Sequence, residues 1–483
     1  MLNPTYLLHA TEAAEEIAEG LHQDIMSRII SRMQKRFERG DDYILTAADK
    51  WQIQTLQEAG YLLDDIQKEI AKKTGLMQKE IAEAMEDAGV KALDHDDAIY
   101  RAAGLDPLPL VQSPHLINIM QRDFEKTLGE WKNFTGTTAN AAQQRFIEAC
   151  DKAYHQALTG MISPSQAVKE ALGELIEGGV YVKYPTGHTD TIETATARAV
   201  RTGISQASAD IQLARMDEFD VDLVLVSSHL GARPEHQAWQ GKVYSRSGKS
   251  KKYPNFKETT GFGTVTGLCG ANCRHNFGPY FEGDENPFTQ YDAEENKKQY
   301  ELEQRQRLME RRIRDTKRKT MGWKEATDAE KDPVKKAEFE REYQKKAALL
   351  QKQNAAYNEF CEQTGQTKRS ERISIAKWDR SKAAAARAAA KNREKNVANP
   401  AKSGSIKEID LQFFSKKASD FKTVRLDRQE YAHVMSEIAT NITKEQSTKK
   451  VFCKPIGSYV YTVENNGFGD YRIIKKVRIE EDL

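Results

Sequence analysis

Four-residue spacing of apolar side chains is the strongest constraint on this chain. Ile17, Leu21, Ile25, Ile29, Met33 and Phe37 recur at every fourth position, and Met26 and Ile30 widen the stripe. A strand puts alternate residues on one face, whereas a helix puts residues three or four apart there, so the pattern demands an amphipathic helix with one buried face. Gly40-Asp41-Asp42 reads as its stop. Thr46 followed by Asp49 resembles a capping box and predicts a second helix ending near Gly60, followed by two shorter helices closed by Gly75 and Gly89. Pro107, Pro109 and Pro114 then break the pattern before another helical stretch from about Leu116 to Trp131. His95 among Asp94, Asp96 and Asp97 reads as an exposed acidic loop rather than a cation site, because no fixed ligand geometry is implied. Ser163-Pro164-Ser165 starts a further helix, Gly178 to Pro185 alternates like a short strand, and Thr189 to Phe219 reads as one long helix.

From Val221 the texture changes. Val221 to Val226 is β-branched and apolar, as in a buried strand, and Lys242-Val243-Tyr244-Ser245 predicts another. Glycines crowd residues 261–283, so the backbone must take tight, partly left-handed turns there. These features predict a small α+β domain over residues 187–287, after a helical N-terminal region over 1–186. Residues 288–399 are charged and predict long helices bent at Pro333, with part of them ordering only in an assembly. A linker is expected over 400–416, and a small β-α-β-β module over 417–483. In that module Thr423 to Leu426 is a strand, and Asp427 with Glu430 caps a helix lined by Tyr431, Val434, Met435, Ile438 and Ile442. Val451 to Val463 and Tyr471 to Ile479 are strand-like and join at Asn465-Asn466-Gly467. The expected fold class is therefore mainly α, with two small α+β parts.

At 483 residues the chain is too long for one ordinary core, and 30% charged residues with a mean hydropathy of −0.72 place part of it outside any compact interior. It has no run of eighteen apolar residues that would predict a membrane span, and no secretory signal is apparent at its N-terminus. Five cysteines over this length do not make a disulfide framework, so synthesis in a reducing cytoplasm is expected. The net charge of +1 hides an acidic excess over residues 1–150 and a basic excess over 289–396. Such a split fits either a segment facing nucleic acid or two solvated helical surfaces of opposite bias. Arg311, Arg312, Arg314, Lys317, Arg318 and Lys319 are the candidate contacts to nucleic acid, through phosphate and without sequence preference.

Two clusters about forty residues apart carry the chemistry. The first runs Ser228-His229-Leu230-Gly231-Ala232-Arg233-Pro234-Glu235-His236 and on through Trp239-Gln240-Gly241; the second is Gly267-Leu268-Cys269-Gly270-Ala271-Asn272-Cys273-Arg274-His275. Together they offer His229, His236, Cys269, Cys273 and His275, the nitrogen and sulfur donors that zinc prefers. Five donors exceed the usual four, and the spacing departs from paired C-x2-C ribbons, so the bland alternative stands, with His236 and Trp239 packed in a core and Cys269 and Cys273 as small buried thiols. Catalysis is also considered, either by a metal hydrolase with Glu235 as base or by Cys273 with His275 or His236. The first lacks the helical H-E-x-x-H form and the second a third orienting group.

The pair "SSHLGARPEHQAWQGKVYS" and "TGFGTVTGLCGANCRHNFGPYF" resembles the signature of phage minor capsid (minor head) proteins and, more distantly, the head-morphogenesis domain of the Mu F type. In that wider group an R-P-x-H-x-x-x-x-G stretch precedes an N-C-R-C or N-C-R-H turn. Arg233, Pro234, His236, Gly241, Asn272, Cys273, Arg274 and His275 occupy those places, and Trp239 lies between them. The resemblance implies a non-enzymatic structural component of the virion, inside the head near the portal vertex, aiding head assembly or genome delivery. Its implied partners are the portal protein, the major capsid protein and packaged double-stranded DNA. Some relatives carry C-terminal toxin domains, so an effector delivered by the particle is the second expectation. The tail here shows no persuasive catalytic set and reads first as a binding module.

Overall fold

The computed structural model describes residues 1–37, 48–398, 433–435, 437, 451–456, 459–465 and 471–478. Two compact units divide the chain, residues 1–394 and 395–483.

The first unit is built on long helices. α1 (Pro4–His9) and α2 (Glu12–Phe37) are followed by α3 (Ala48–Ala102), α4 (Pro114–Leu158), α5 (Pro164–Gly178) and α6 (Ile192–Glu218). The four-residue stripe lands where its period requires, with Leu21, Ile25, Met26, Ile29, Ile30 and Met33 all buried. They meet Trp51, Ile66 and Met77 of α3, Trp131 and Phe146 of α4, Leu172 of α5 and Ile204 of α6 in one continuous core. Each such side chain removed from water contributes about 1.5–3 kcal/mol.

The expected stops at Gly60, Gly75 and Gly89 do not occur, because α3 runs through all three for 55 residues. A Cβ at Gly60 or Gly75 would meet nothing, so these glycines only weaken the helix locally. Gly89 is a packing glycine instead, where Met120 and Ile211 approach to within 3.0 and 3.4 Å of a Cβ position. Packing on both sides outweighs a glycine cost of about 1 kcal/mol. The acidic segment around His95 is likewise no loop. It lies inside α3, where Asp96 is buried and accepts from Gln212 Nε2 at 2.6 Å, and Asp97 is buried beside Arg215. Pro164 stands in the first turn of α5 under a Ser163 cap, as expected. The Gly40 stop and Thr46 lie outside the described residues.

β1 (Tyr181–Lys183) pairs antiparallel with β2 (Thr189–Thr191), which takes the first residues assigned to the long helix. β3 (Leu223–Val226) is the central strand of an antiparallel sheet between β4 (Val243–Ser245) and β5 (Phe277–Pro279), with Val224 opposite both Tyr244 and Pro279. Short helices α7 (Pro234–Gln237) and α8 (Phe256–Thr260) lie in the connections. The sheet's core joins Val224, Val226, Tyr244 and Phe277 to Ala209 and Met216 of α6 and Tyr100 of α3.

The charged segment does not bend at Pro333; it reverses. α9 (Ala293–Ala329) ends before Pro333, which occupies the first turn of α10 (Pro333–Thr364) under an Asp332 cap donated to by Val334 and Lys335 N–H. The two helices form an antiparallel hairpin: Trp323 packs against Phe339 with tilted rings by the turn, and Gln306 meets Tyr357 and Cys361 at the far end. α11 (Ser370–Ile373) and α12 (Arg380–Ala398) complete the unit.

In the second unit, β6 (Val451–Ile456), β7 (Tyr459–Asn465) and β8 (Tyr471–Arg478) form an antiparallel meander with Tyr461, Val463 and Ile473 buried. The stretch from Val451 to Val463 is therefore two paired strands rather than one. His433 to Met435 are helical. The expected strand at Thr423, the Asp427 cap, the turn residues Asn466 and Gly467 and the linker lie outside the described residues. No helix among the described residues is long and apolar enough to cross a membrane.

Candidate metal centre

The two sequence clusters fold into one knot at the end of the β4-β3-β5 sheet. Leaving β3, Ser227 N–H donates to the Asn276 carbonyl and Asn276 N–H donates back to Ser227 Oγ, which places the second cluster beside the first. Two arginines stitch them reciprocally: Arg233 of the first donates to the Ala271 carbonyl of the second, and Arg274 of the second donates to the Gly231 carbonyl of the first at 3.4 Å. Arg274 also pairs with Glu303 of α9 at 3.0 Å.

Backbone geometry explains the glycines and one asparagine. Asn272 and Cys269 both take φ of +58°, the left-handed region that asparagine tolerates and cysteine rarely adopts. A Cβ at Gly267 would overlap the Gly261 carbonyl, so the strand of the knot can pass there only as glycine. Gly241, at φ +68°, offers its carbonyl to Asn286 and Gln290 and ties the loop before α9 to the knot. Pro234 opens α7, whose turn carries His236 inward.

Of the five sequence-predicted donors, the fold converges three. His236, Cys273 and His275 are buried with their ligand atoms within 4.8 Å of one another. His236 Nδ1 lies 3.4 Å from His275 Nδ1, and Cys273 Sγ lies 3.6 Å from His275 Nδ1 and 3.9 Å from His236 Nδ1. Tetrahedral coordination by two nitrogens and a sulfur sets such atoms roughly 3.3–3.6 Å apart, so the group is close to the size of a metal's shell. His229 and Cys269 stand just outside this group. The His229 ring stacks on His275 at 4.4 Å with Nδ1 3.0 Å from the Leu230 carbonyl, and Cys269 Sγ is 3.7 Å from the His275 carbonyl. Trp239 closes the knot, with its ring 4.5 Å from His236 and 4.9 Å from His275.

Burial governs the electrostatics. It lowers the basicity of His236 and His275, and with help from Arg274 it brings His229 down to about 3, so all three imidazoles are neutral near pH 7. It also raises the thiols of Cys269 and Cys273, which are protonated in the absence of a metal. A raised, buried thiol is a poor nucleophile, and Glu235 is exposed.

Sequence reasoning missed the groups that orient the histidines. His236 Nε2 lies 2.8 Å from the Thr266 carbonyl, and His275 Nε2 lies 3.0 Å from Gln240 Oε1. Gln240 was legible as part of the Trp239-Gln240-Gly241 run. A main-chain carbonyl such as that of Thr266 leaves no sequence signal.

The six candidate phosphate contacts are not one exposed face. Arg318 is buried between Glu19 and Glu193, Lys317 donates to the Ile373 carbonyl, Arg314 donates to the Arg372 carbonyl, and Lys319 pairs with Asp315 at 2.7 Å. Arg311 and Arg312 are exposed. Arg311 and Arg318, seven residues apart, share a helix face, so packing rather than period separates them, and the inward cations hold the hairpin to the body.

Comparison with known proteins agrees with the motif. The family described as phage minor capsid protein 2 matches residues 2–362. A curated relative, a "Structural protein" of Lactococcus phage LL-H, is 23% identical over 327 residues, which are 64% of this chain and 85% of the relative. No solved structure matches the chain. With three quarters of its length matched, the arginine-stitched knot included, this chain belongs to the phage minor capsid protein 2 family.

Proposed function

We propose that the protein is a structural, non-enzymatic component of a tailed-phage head that sits inside the capsid at the portal vertex and aids assembly or genome delivery. The observation that carries the non-catalytic part is burial: His236, Cys273 and His275, the His/Cys group that converges among the described residues, are each at most 2% exposed. The helical body is the docking element toward the portal and major capsid proteins. In its support, Ile53 and Leu56, one turn apart on α3, and Leu76 further along are more than half exposed. Packaged DNA is met by Arg311 and Arg312, and the C-terminal sheet serves as a binding module. Zinc is the ion that suits the His-Cys-His group, and its role is to fasten the knot.

Quantitative mass spectrometry of purified proheads and mature virions, with cross-linking to the portal protein, tests this reading. Low copy number relative to the major capsid protein and cross-links confined to the portal vertex are expected. Absence of the chain from particles overturns the proposal.

A further inference from the structure

We infer that the knot is a closed zinc site with two histidine and two cysteine ligands, in which both histidines bind through Nδ1 and Cys269 joins Cys273 as the fourth donor. The inference rests on the reading of His236, Cys273 and His275 as a metal centre and adds the ligating atoms and the completion of the shell.

The protons identify the atoms. The Thr266 carbonyl can only accept, so His236 Nε2, at 2.8 Å from it, carries the ring hydrogen. Gln240 Oε1 accepts from the His229 backbone N–H at 3.1 Å while its amide nitrogen donates to Gln237 at 2.7 Å, which sets the amide orientation. Oε1 is therefore the acceptor for His275, and His275 Nε2 carries the hydrogen. A neutral imidazole has one N–H, so both Nδ1 atoms are bare lone pairs. They face each other at 3.4 Å with the Cys273 sulfur on their flank, three electron-rich atoms with one thiol proton among them. A cation at their centre converts that repulsion to bonding, and the two carbonyl partners are the groups that orient histidine ligands from behind.

Charge identifies the fourth ligand. The three converged donors carry one ionisable thiol, which would leave a buried zinc site with a net positive charge. The knot lies in an apolar core with Leu268, Phe277 and Trp239, Arg233 and Arg274 are stitched across it, and Glu303, the carboxylate beside Arg274, is shared with Arg307. A second thiolate makes the centre neutral. Cys269 is fully buried, and its sulfur and that of Cys273 lie 3.7 and 3.8 Å from the same His275 carbonyl oxygen. Its sulfur has to move to join the three converged donors. His229, stacked on the His275 ring, would add a neutral donor and leave the charge unbalanced. Binding exchanges two thiol protons for one Zn2+: two S–H bonds break, two Zn–S bonds form, two protons enter solvent, and the histidines give lone pairs without a proton change.

The full-length chain is titrated with Zn2+ at pH 7 by calorimetry in buffers of different ionisation enthalpy, and with Co2+ followed by absorption. One metal per chain, two protons released, and tetrahedral cobalt bands with thiolate charge transfer are expected. In Cys269→Ser that charge-transfer intensity falls by about half. One proton released by the unaltered chain, or a Cys269→Ser protein with unchanged charge transfer and zinc affinity, overturns the fourth-ligand assignment and leaves the metal centre standing. No binding of either metal overturns both. The proton count needs no variant, so a Cys269→Ser chain that fails to fold does not blunt the test.

Discussion

Replacing Arg318 by methionine is expected to destabilise the first unit by about 3–5 kcal/mol near pH 7, the range for removing one partner of a buried ion pair. Arg318 Nε donates to Glu19 Oε1 at 2.8 Å, and its Nη2 reaches both Glu19 and Glu193, all with side chains no more than 8% exposed. Methionine fills similar volume but leaves two carboxylates facing each other with no guanidinium between them. The loss should depend on pH in a set direction. Burial alone would raise the Glu193 pKa, but Arg318, with His22, overcomes it and holds that carboxyl well below the usual range. A depressed pKa contributes stability that is present above the unfolded value, near 4.3, and is lost as pH falls below it. In the variant burial is opposed mainly by His22, the Glu193 carboxyl titrates higher than in the parent, and its protonation relieves the buried charge. The deficit relative to the parent should therefore shrink between pH 7 and pH 5. Urea unfolding followed by circular dichroism at both pH values measures it. A deficit below about 1 kcal/mol, or one equal at both pH values, refutes the claim that Arg318 is a buried anchor of α9.

Gly75→Ala should raise stability by up to about 1 kcal/mol, since a Cβ there meets nothing in an unbroken helix; a loss on chemical denaturation would mean that the helix ends at Gly75. Gly267→Ala should cost about 3 kcal/mol through overlap with the Gly261 backbone, and a parental melting curve would contradict the close approach. Arg274→Met should cost only about 1.5–3 kcal/mol, because Glu303 keeps Arg307 at 2.9 Å; a loss as large as that of Arg318→Met in the same denaturation assay counts against this ranking. Arg311→Ala with Arg312→Ala should leave stability within about 0.5 kcal/mol and flatten the salt dependence of DNA binding by about two counterions. An unchanged slope in a salt titration removes these residues from any DNA contact.

The apolar period of α2, the proline-led start of α5, and the β-branched run of β3 were all legible in the amino-acid order, because each depends on neighbours within a few residues. So was the candidate site as a list of donors, and the family through the spacing of Arg233, His236, Gly241 and Asn272 to His275. Helix length was not legible. Whether Gly60, Gly75 or Gly89 ends a helix depends on what packs along it, and α3, packed against α2, α4 and α6, continues through all three. The charged segment misled for the same reason. Arg318 and Lys317 look like neighbours of Arg311 along the chain, yet Glu19 and Glu193 face Arg318 and the Ile373 carbonyl accepts from Lys317, which makes both interior anchors.

Local order thus determined most of the helical segments, two of the three strands around β3 and which residue types occupy the two clusters. Only the tertiary structure decided that His236, Cys273 and His275 converge while His229 and Cys269 stand beside them, and that Thr266 and Gln240 turn both Nδ1 lone pairs inward. Convergence across about forty residues is set by the Ser227–Asn276 pairing and the Arg233 and Arg274 stitches, contacts between distant segments that no local spacing encodes.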